Sequence, residues 1–309
     1  MRTARDIAAP VLGVGIATLD IVNEVAAYPP EDAEVRALAQ RQVRGGNVTN
    51  TLAVLRQLGR SCAWAGTLAD DPASRQILAD LDAQQIDTSR VVRHPGACTP
   101  VSYITLSRAN GSRTIVHRRD LPELTAAAFA EVCEALGWGP WSWVHFEGRA
   151  PAETGAMLRL VRARLPGVPI SLEIEKPRPG SEVLLDGPDL LLFSRAYVQA
   201  QGIADPEVFL RHLARETGAR HCVLAWGAGG SFGWTRGADM VHAQAEPPDA
   251  LVDTLGAGDV FNAAVIDGLL EGLTLPEVLV AANRLAGRKC GRVGLAGLVE
   301  GATAVQIRA

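Results

Sequence analysis

The sequence predicts an α/β fold: a mainly parallel sheet with helices on both faces, and a second, smaller β-sheet apart from it. Three observations carry that reading. Short apolar runs alternate with segments of helical period through the second half of the chain, the pattern of strand–crossover–strand units. Two turn-rich interruptions, residues 28–44 and the neighbourhood of Asn110-Gly111, break the first half and suit a separate small sheet. The 309 residues are 48% hydrophobic and 21% charged, which is enough apolar material for one large core.

Along the chain, residues 11–17 read as a buried strand. Arg2 and Arg5, the apolar stretch 7–19 and Val25-Ala26-Ala27 imitate a secretion signal, but Asp6, Pro10, Gly13 and Gly15 break that pattern and favour a core strand. Residues 47–58 form an amphipathic helix, with Leu52, Leu55 and Leu58 on one face and Gly59 ending it. Residues 100–106 and 113–117 are strands joined through Asn110-Gly111. Residues 143–146 are strand-like and 152–165 helical. Strands follow at 169–174 and 190–193, a helix at 206–216 and a strand at 221–226. Residues 231–235 and 240–243 read as an antiparallel pair, followed by helices at 260–271 and 276–290.

Composition excludes several functions. Thirty basic residues against thirty-four acidic give a net charge of −4, so nothing favours nucleic acid. No run of about 18 apolar residues suggests a membrane helix. The five cysteines are odd in number and form no CxxC pair, which suits a reducing cytoplasm and gives no zinc signature. No HExxH is present.

The most informative segment is Asp253-Thr254-Leu255-Gly256-Ala257-Gly258-Asp259, a glycine-rich turn running into an apolar helix. Glycines let the backbone approach a ligand, and the N–H groups at the helix start favour a phosphate. A carboxylate at Asp259 can accept the proton of an attacking hydroxyl. Alone, the turn could be a tight loop and Asp259 a cap. The full string, with Gly45-Gly46-Asn47-Val48-Thr49-Asn50, resembles the signatures of the ribokinase-like, or PfkB, carbohydrate kinases. Within that family Tyr28-Pro29, Glu31-Asp32, Arg44 to Asn47, Gly111 to Ile115, Glu147-Gly148-Arg149, Glu173, Glu175 to Arg178 and Gly287 to Gly291 resemble the ketohexokinase (fructokinase) branch, over residues 11 to 300 or so.

The resemblance implies a ribokinase-like three-layer sandwich with a β-sheet lid. The core would be residues 10–19, 45–97 and 119–305, and the lid, doubling as a dimer clasp, residues 20–44 and 98–118. It implies an ATP-dependent kinase for a ketose hydroxyl, fructose to fructose 1-phosphate before ribose, tagatose, a sugar acid or adenosine. Asp259 would be the base, and the backbone of Gly256, Ala257 and Gly258 the anion hole. An aspartate of ordinary pKa would suffice, because the alcohol becomes acidic only late in a loose transfer. Asp20, Gly46, Asn47 and Asn50 match sugar-binding positions; Asn47 could also be an N-cap and Asp20 a strand-end turn. Asp32 matches a lid residue that reaches the partner's sugar in a homodimer, or is a solvated turn carboxylate. Arg113 and Lys176 would meet nucleotide phosphates, or be surface groups. Trp226, Gly227, Gly229, Pro247, Asn283 and Cys290 would surround adenine. Glu147 and Glu175 would hold Mg²⁺ through water, or serve as ion-pair partners. Many members bind a monovalent cation such as K⁺ beside the anion hole, with carbonyls near Asp253 as candidate ligands.

The chain departs from the wider family at Ser194-Arg195-Ala196-Tyr197, where an Asn-x-x-Glu segment organises Mg²⁺ water in other members, and at Gly227 to Gly230, where an acidic pair is missing. Three other readings are weaker. Gly229-Gly230-Ser231-Phe232-Gly233 fits GxSxG, but a strand rather than a helix follows Ser231, against a serine hydrolase. Gly13-x-Gly15 lacks the third glycine of a dinucleotide fingerprint, and there is no P-loop GxxxxGK[ST]. A non-catalytic sugar sensor would have no need of Asp259.

Overall fold

The computed structural model describes residues 9–300. Arg2, Arg5, Asp6 and Ile7 of the signal-like stretch lie outside those residues, as do positions 301–305 of the expected core. Two sheets organise the chain. The larger has nine strands in the order β13-β12-β11-β10-β9-β8-β1-β4-β5. These are β1 (Val11–Val14), β4 (Cys62–Ala69), β5 (Ile86–His94), β8 (Trp143–Glu147), β9 (Ile170–Ile174), β10 (Leu190–Ser194), β11 (His221–Ala225), β12 (Ser231–Thr235) and β13 (Val241–Ala243). From β5 to β11 every pairing is parallel; β12 and β13 add an antiparallel edge.

Helices cover both faces. On one lie α1 (Asn47–Gln57), α2 (Pro72–Ala83), α7 (Ala257–Leu270) and α8 (Leu275–Cys290), in a cluster with Leu52, Leu55, Trp64, Ile77 and Val260. On the other lie α3 (Ala126–Leu136), α4 (Pro151–Arg164), α5 (Arg195–Ala200) and α6 (Pro206–Glu216), around Phe129, Phe146, Leu158, Leu172 and Leu210. Within this second layer His145 is wholly buried, its Nδ1 2.8 Å from Ser171 Oγ, and burial depresses its pKa to about 3.

The smaller sheet, the lid, has the order β3-β2-β6-β7, from β2 (Thr18–Val25), β3 (Ala39–Gly45), β6 (Val101–Ser107) and β7 (Arg113–Arg118). It is mixed: β2 pairs antiparallel with β3 and parallel with β6, and β6 pairs antiparallel with β7. Its small cluster of Val22, Ile104 and Leu106 receives Leu255 from the glycine-rich turn.

Several sequence expectations shift. The first strand ends at Val14, not residue 17, because the chain there leaves the core sheet and enters the lid at Thr18. Asp20 therefore sits within β2, opposite Val43 and Ser102, rather than at a strand-end turn. The sequence pattern assigned nothing between Leu58 and Pro100. All eight residues of β4 are buried, so it shows no polar alternation to read. The helix expected from residue 260 begins at Ala257, which brings Asp259 into its first turn.

Gly46 is where lid and core meet. It caps α1 at φ +110°, and a Cβ there would stand 2.2 Å from the carbonyl oxygen of Ile16. The Gly46→Ala variant is expected to lose at least about 2 kcal/mol of stability in denaturant titration, since clash adds to backbone strain; unchanged stability would contradict this packing.

Candidate active site

The parallel strands of the large sheet carry acidic residues at their carboxyl ends, where open α/β sheets bind ligands. Glu147 closes β8, Glu173 is the penultimate residue of β9, and Glu175 follows β9. Glu147 and Glu173 stand opposite each other in register. Asp259, in the first turn of α7, joins them as a fourth carboxylate.

Asp259 is 7% exposed, and its Oδ2 accepts from Asn50 Nδ2 at 2.7 Å. That bond joins segments 209 residues apart. Thr51 Oγ1 adds a bond to the Asp259 carbonyl at 3.3 Å. Gly256 caps α7 in the left-handed region at φ +82°, and a Cβ on it would lie 3.7 Å from Asp259 Oδ2. The carboxylate thus sits against the turn whose N–H groups open the helix. An ordinary pKa would suffice for a base here, but that of Asp259 is raised. Burial pushes it well up, and Glu175 and Glu147 push the same way, against the Asn50 bond and Arg44.

The neighbouring acids respond alike. Burial first, then the approach of Asp259, Glu147 and Glu175, raises the Glu173 carboxyl well above its usual range. Glu147 is pushed up to about 7 by burial, although Ile16 N donates to its Oε2 at 3.2 Å and Arg149 Nη1 stands 3.7 Å from Oε1. Glu173 Oε2 is buried with no hydrogen-bond partner among the described residues. An orphaned carboxylate oxygen suits a water molecule or the water shell of a cation. Among the described residues no three His, Cys, Asp or Glu side chains are grouped to ligate a metal directly, so a hydrated ion fits better than a caged one. Motif reading matched Glu173 to the family but gave it no role in the site; near the end of an apolar strand, nothing local marked it as unpaired.

Asn47 and Asn50 do share one end of α1. Gly46 takes the N-cap position, so Asn47 is free to donate to Glu175 Oε2 at 3.3 Å. Asn50 Oδ1 accepts from Arg44 Nη1 at 2.8 Å. Asp20 is buried and held by Thr18 Oγ1 at 2.8 Å; burial raises its pKa against that bond and one from Ser102. A cavity of about 560 Å³ reaches Asp20 and Asn50, with Arg41, Arg44, Asp80 and Asp253 in its wall, but does not include Asp259. Asp32 lies at an exposed turn with φ +58° between β2 and β3, outside this cluster within one chain.

Arg113 reaches from the lid to Thr254 Oγ1 at 2.6 Å, placing a guanidinium at the glycine-rich turn. Lys176 is exposed beside Glu175 at 3.4 Å. Of the residues expected around adenine, Gly229 and Asn283 lie beside β13. Gly229 O lies 2.9 Å from His242 Nε2, and Asn283 Nδ2 donates to the carbonyls of Ala243 and Gln244, both at 2.9 Å. The Asn283 donors are therefore spent on backbone. Trp226 lies under the Arg195 guanidinium at 5.5 Å. A cavity of about 520 Å³ takes Pro247, Pro248, Gly287 and Gly291 in its wall, but none of Trp226, Gly227, Gly229, Asn283 or Cys290. The Cys290 carbonyl accepts from Val252 and Asp253 N–H at 2.8 and 3.1 Å, and burial raises the pKa of its thiol.

The departing segments have local jobs. Ser194 Oγ caps α5 through Tyr197 N at 3.0 Å and donates to the Glu175 carbonyl at 2.6 Å. Ser231 is fully buried at the start of an antiparallel strand, and among the described residues its Oγ has no partner. A serine nucleophile needs a base in hydrogen-bond range and an open strand-to-helix elbow, so the hydrolase reading fails.

Sequence and fold comparison place these features in a known class. The family described as pfkB family carbohydrate kinase matches residues 11–300. Ketohexokinase of Mus musculus is 36% identical over 94% of this chain and 98% of that protein. A fructokinase of Rhizobium leguminosarum is 25% identical over 78% of this chain and 76% of its own. In fold, Arabidopsis thaliana ribokinase, solved with ribose and ATP, superposes with a TM-score of 0.76 at 22% identity over 93% of this chain and 94% of that one. The chain belongs to the PfkB family of carbohydrate kinases, and its sequence is similar to the ketohexokinase and fructokinase named above. No helix among the described residues is long and apolar enough to cross a membrane.

The raised Glu147 pKa makes stability depend on pH. The folded protein retains a proton that the unfolded chain releases, so this group's contribution is present below about pH 4.5 and lost as pH rises through about 7. Buried His145 acts in the opposite direction, so the readout is a difference. Without nucleotide or metal, Glu147→Gln is expected to gain up to about 3 kcal/mol on the wild type between pH 5 and pH 8 in urea titrations. Parallel pH profiles would refute the shift.

Proposed function

We propose that this protein is an ATP-dependent ketose kinase with Asp259 as catalytic base, and that D-fructose, phosphorylated at O1, is its substrate. The observation that carries the reading is the Asn50–Asp259 bond at 2.7 Å, which sets a hydroxyl-binding amide against the buried carboxylate of the glycine-rich turn. A sugar hydroxyl reaching Asp259 would displace or share that bond. The alcohol oxygen attacks the γ-phosphorus of ATP, the bond from that phosphorus to the ADP oxygen breaks, and the alcohol proton passes to Asp259. As a base Asp259 acts in its ionised form, which the Asn50 bond and Arg44 favour against burial. The amides of Gly256, Ala257 and Gly258 face the charge that builds on the phosphoryl oxygens. Arg113, with Lys176 further out, would hold the nucleotide phosphates. Mg²⁺ would neutralise those phosphates, held through water by Glu173, Glu147 and Glu175.

The test is a screen of ATP consumption over ketoses, aldoses and sugar phosphates. D-Fructose should give the highest kcat/KM, with the 1-phosphate as product; another best substrate would overturn the sugar assignment. The Asp259→Asn variant should lose about 10²–10⁴-fold in kcat and melt no lower than the wild type, since it removes a buried charge. Near-normal turnover would rule out the base.

The lid supports a homodimer reading. Strand β7 is exposed at all six positions, and Tyr103 and Val116, paired in register across β6 and β7, are 51% and 66% exposed. A second copy covering this face would bring Asp32 towards the neighbour's sugar. Asp32→Ala and Asp259→Asn homodimers should each be impaired, and mixing them after subunit exchange should restore activity towards one site per two chains. No recovery, or a monomer in sedimentation, would end the shared-site idea.

A further inference from the structure

Beside the anion hole the chain places a charge of its own. Lys289, in the last turn of α8, has no exposed surface. Its Nζ donates to the backbone carbonyl of Asp253 at 2.7 Å and to that of Arg292 at 3.2 Å, and stands 3.4 Å from Asp253 Oδ2. The same carboxylate accepts from Leu255 N through Oδ1 at 2.9 Å and from Gly294 N through Oδ2 at 3.2 Å, and pairs with Arg41 Nη2 at 3.1 Å. The ammonium is thus ringed by two carbonyls and a carboxylate. That is also the donor set a monovalent cation would need at the carbonyls near Asp253.

We propose that the Lys289 ammonium is a built-in substitute for that cation, bracing the Asp253–Gly256 turn so that the anion-hole amides hold their direction without K⁺. Lys289 and Arg41 already put two positive charges on the single Asp253 carboxylate. A third at the same oxygens would meet repulsion in a buried, poorly screened place. An ammonium and K⁺ have the same charge and both are held by oxygen lone pairs, the ammonium by donating hydrogen bonds to them, so one can stand where the other would. Lys289 acts through the turn and touches neither sugar nor phosphate; it is a positioning residue.

The inference rests on the kinase reading, and its test separates the two. The protein is prepared with tetramethylammonium as the sole buffer cation besides Mg²⁺, and KCl is titrated to about 0.1 M at constant ionic strength, following both melting temperature and turnover. In the wild type neither should move: turnover should stay within about twofold, and melting should not shift specifically with K⁺ against Na⁺. In Lys289→Ala, turnover should fall by about 10²-fold and recover on adding K⁺ or NH₄⁺, and K⁺ should raise the melting temperature. A merely structural lysine would show no such ion-specific rescue. Strong K⁺ activation or K⁺-specific stabilisation of the wild type would overturn the proposal, as would a Lys289→Ala variant fully active without K⁺. If Lys289→Ala does not fold, the wild-type titration decides by itself. If no sugar is phosphorylated under any cation, the kinase reading fails, while the melting curves still report whether Lys289 fills the cage.

Discussion

The amide of Asn50 donates to the carboxylate of Asp259, and much of the site's arrangement depends on that contact. For the two to meet, α1 and α7 must pack together on one face of the sheet, and the strand ends beneath them must carry Glu147, Glu173 and Glu175. Glu147, Glu173 and Asp259 are buried, so they cannot all ionise freely at close quarters. Raised pKa values at Asp259, Glu173 and Glu147 are the physical consequence. The strain is eased by neutral donors, Asn50 and the Ile16 amide, and by cationic Arg44 and Arg149 at the margin. Such a cluster suits a ligand that brings positive charge and hydroxyl donors together, as a sugar and hydrated Mg²⁺ would.

The glycine-rich turn is held from outside the site. Asp253 gathers Arg41 from the lid and Lys289 from α8, while its carboxylate takes the Leu255 and Gly294 amides. Leu255 reaches into the lid's apolar cluster, and Arg113 of the lid bonds Thr254. Lid and glycine-rich turn are therefore joined on both sides of the turn, so a movement of the lid would be felt at Thr254 and Leu255.

Motif reading reached Asp259, Asn47, Asn50 and Arg113 because each sits in a short string whose residue types and spacing are set by chemistry: glycines where backbone must approach a phosphate, amides one helical turn apart. It reached the parallel sheet through strands that alternate with helices. It left β4 unassigned, since a strand buried on both faces looks like any apolar run. It matched Asp20 to a sugar-binding position, with a strand-end turn as the alternative, and did not see it inside a strand, since nothing local marks the switch from core sheet to lid at Thr18.

What the sequence determined by itself was local: which segments favour strand or helix, where glycine permits a sharp turn, and which side chains can move protons or hold hydroxyls. Tertiary structure alone decided that Glu173 faces Asp259 with an unpaired oxygen, that Asn283 spends its donors on backbone, and that Lys289 lies under the carbonyl of Asp253. The physical reason is that burial, pKa and hydrogen-bond satisfaction depend on atoms brought together from distant parts of the chain. The Asn50–Asp259 contact spans 209 residues, and no local pattern encodes such a distance.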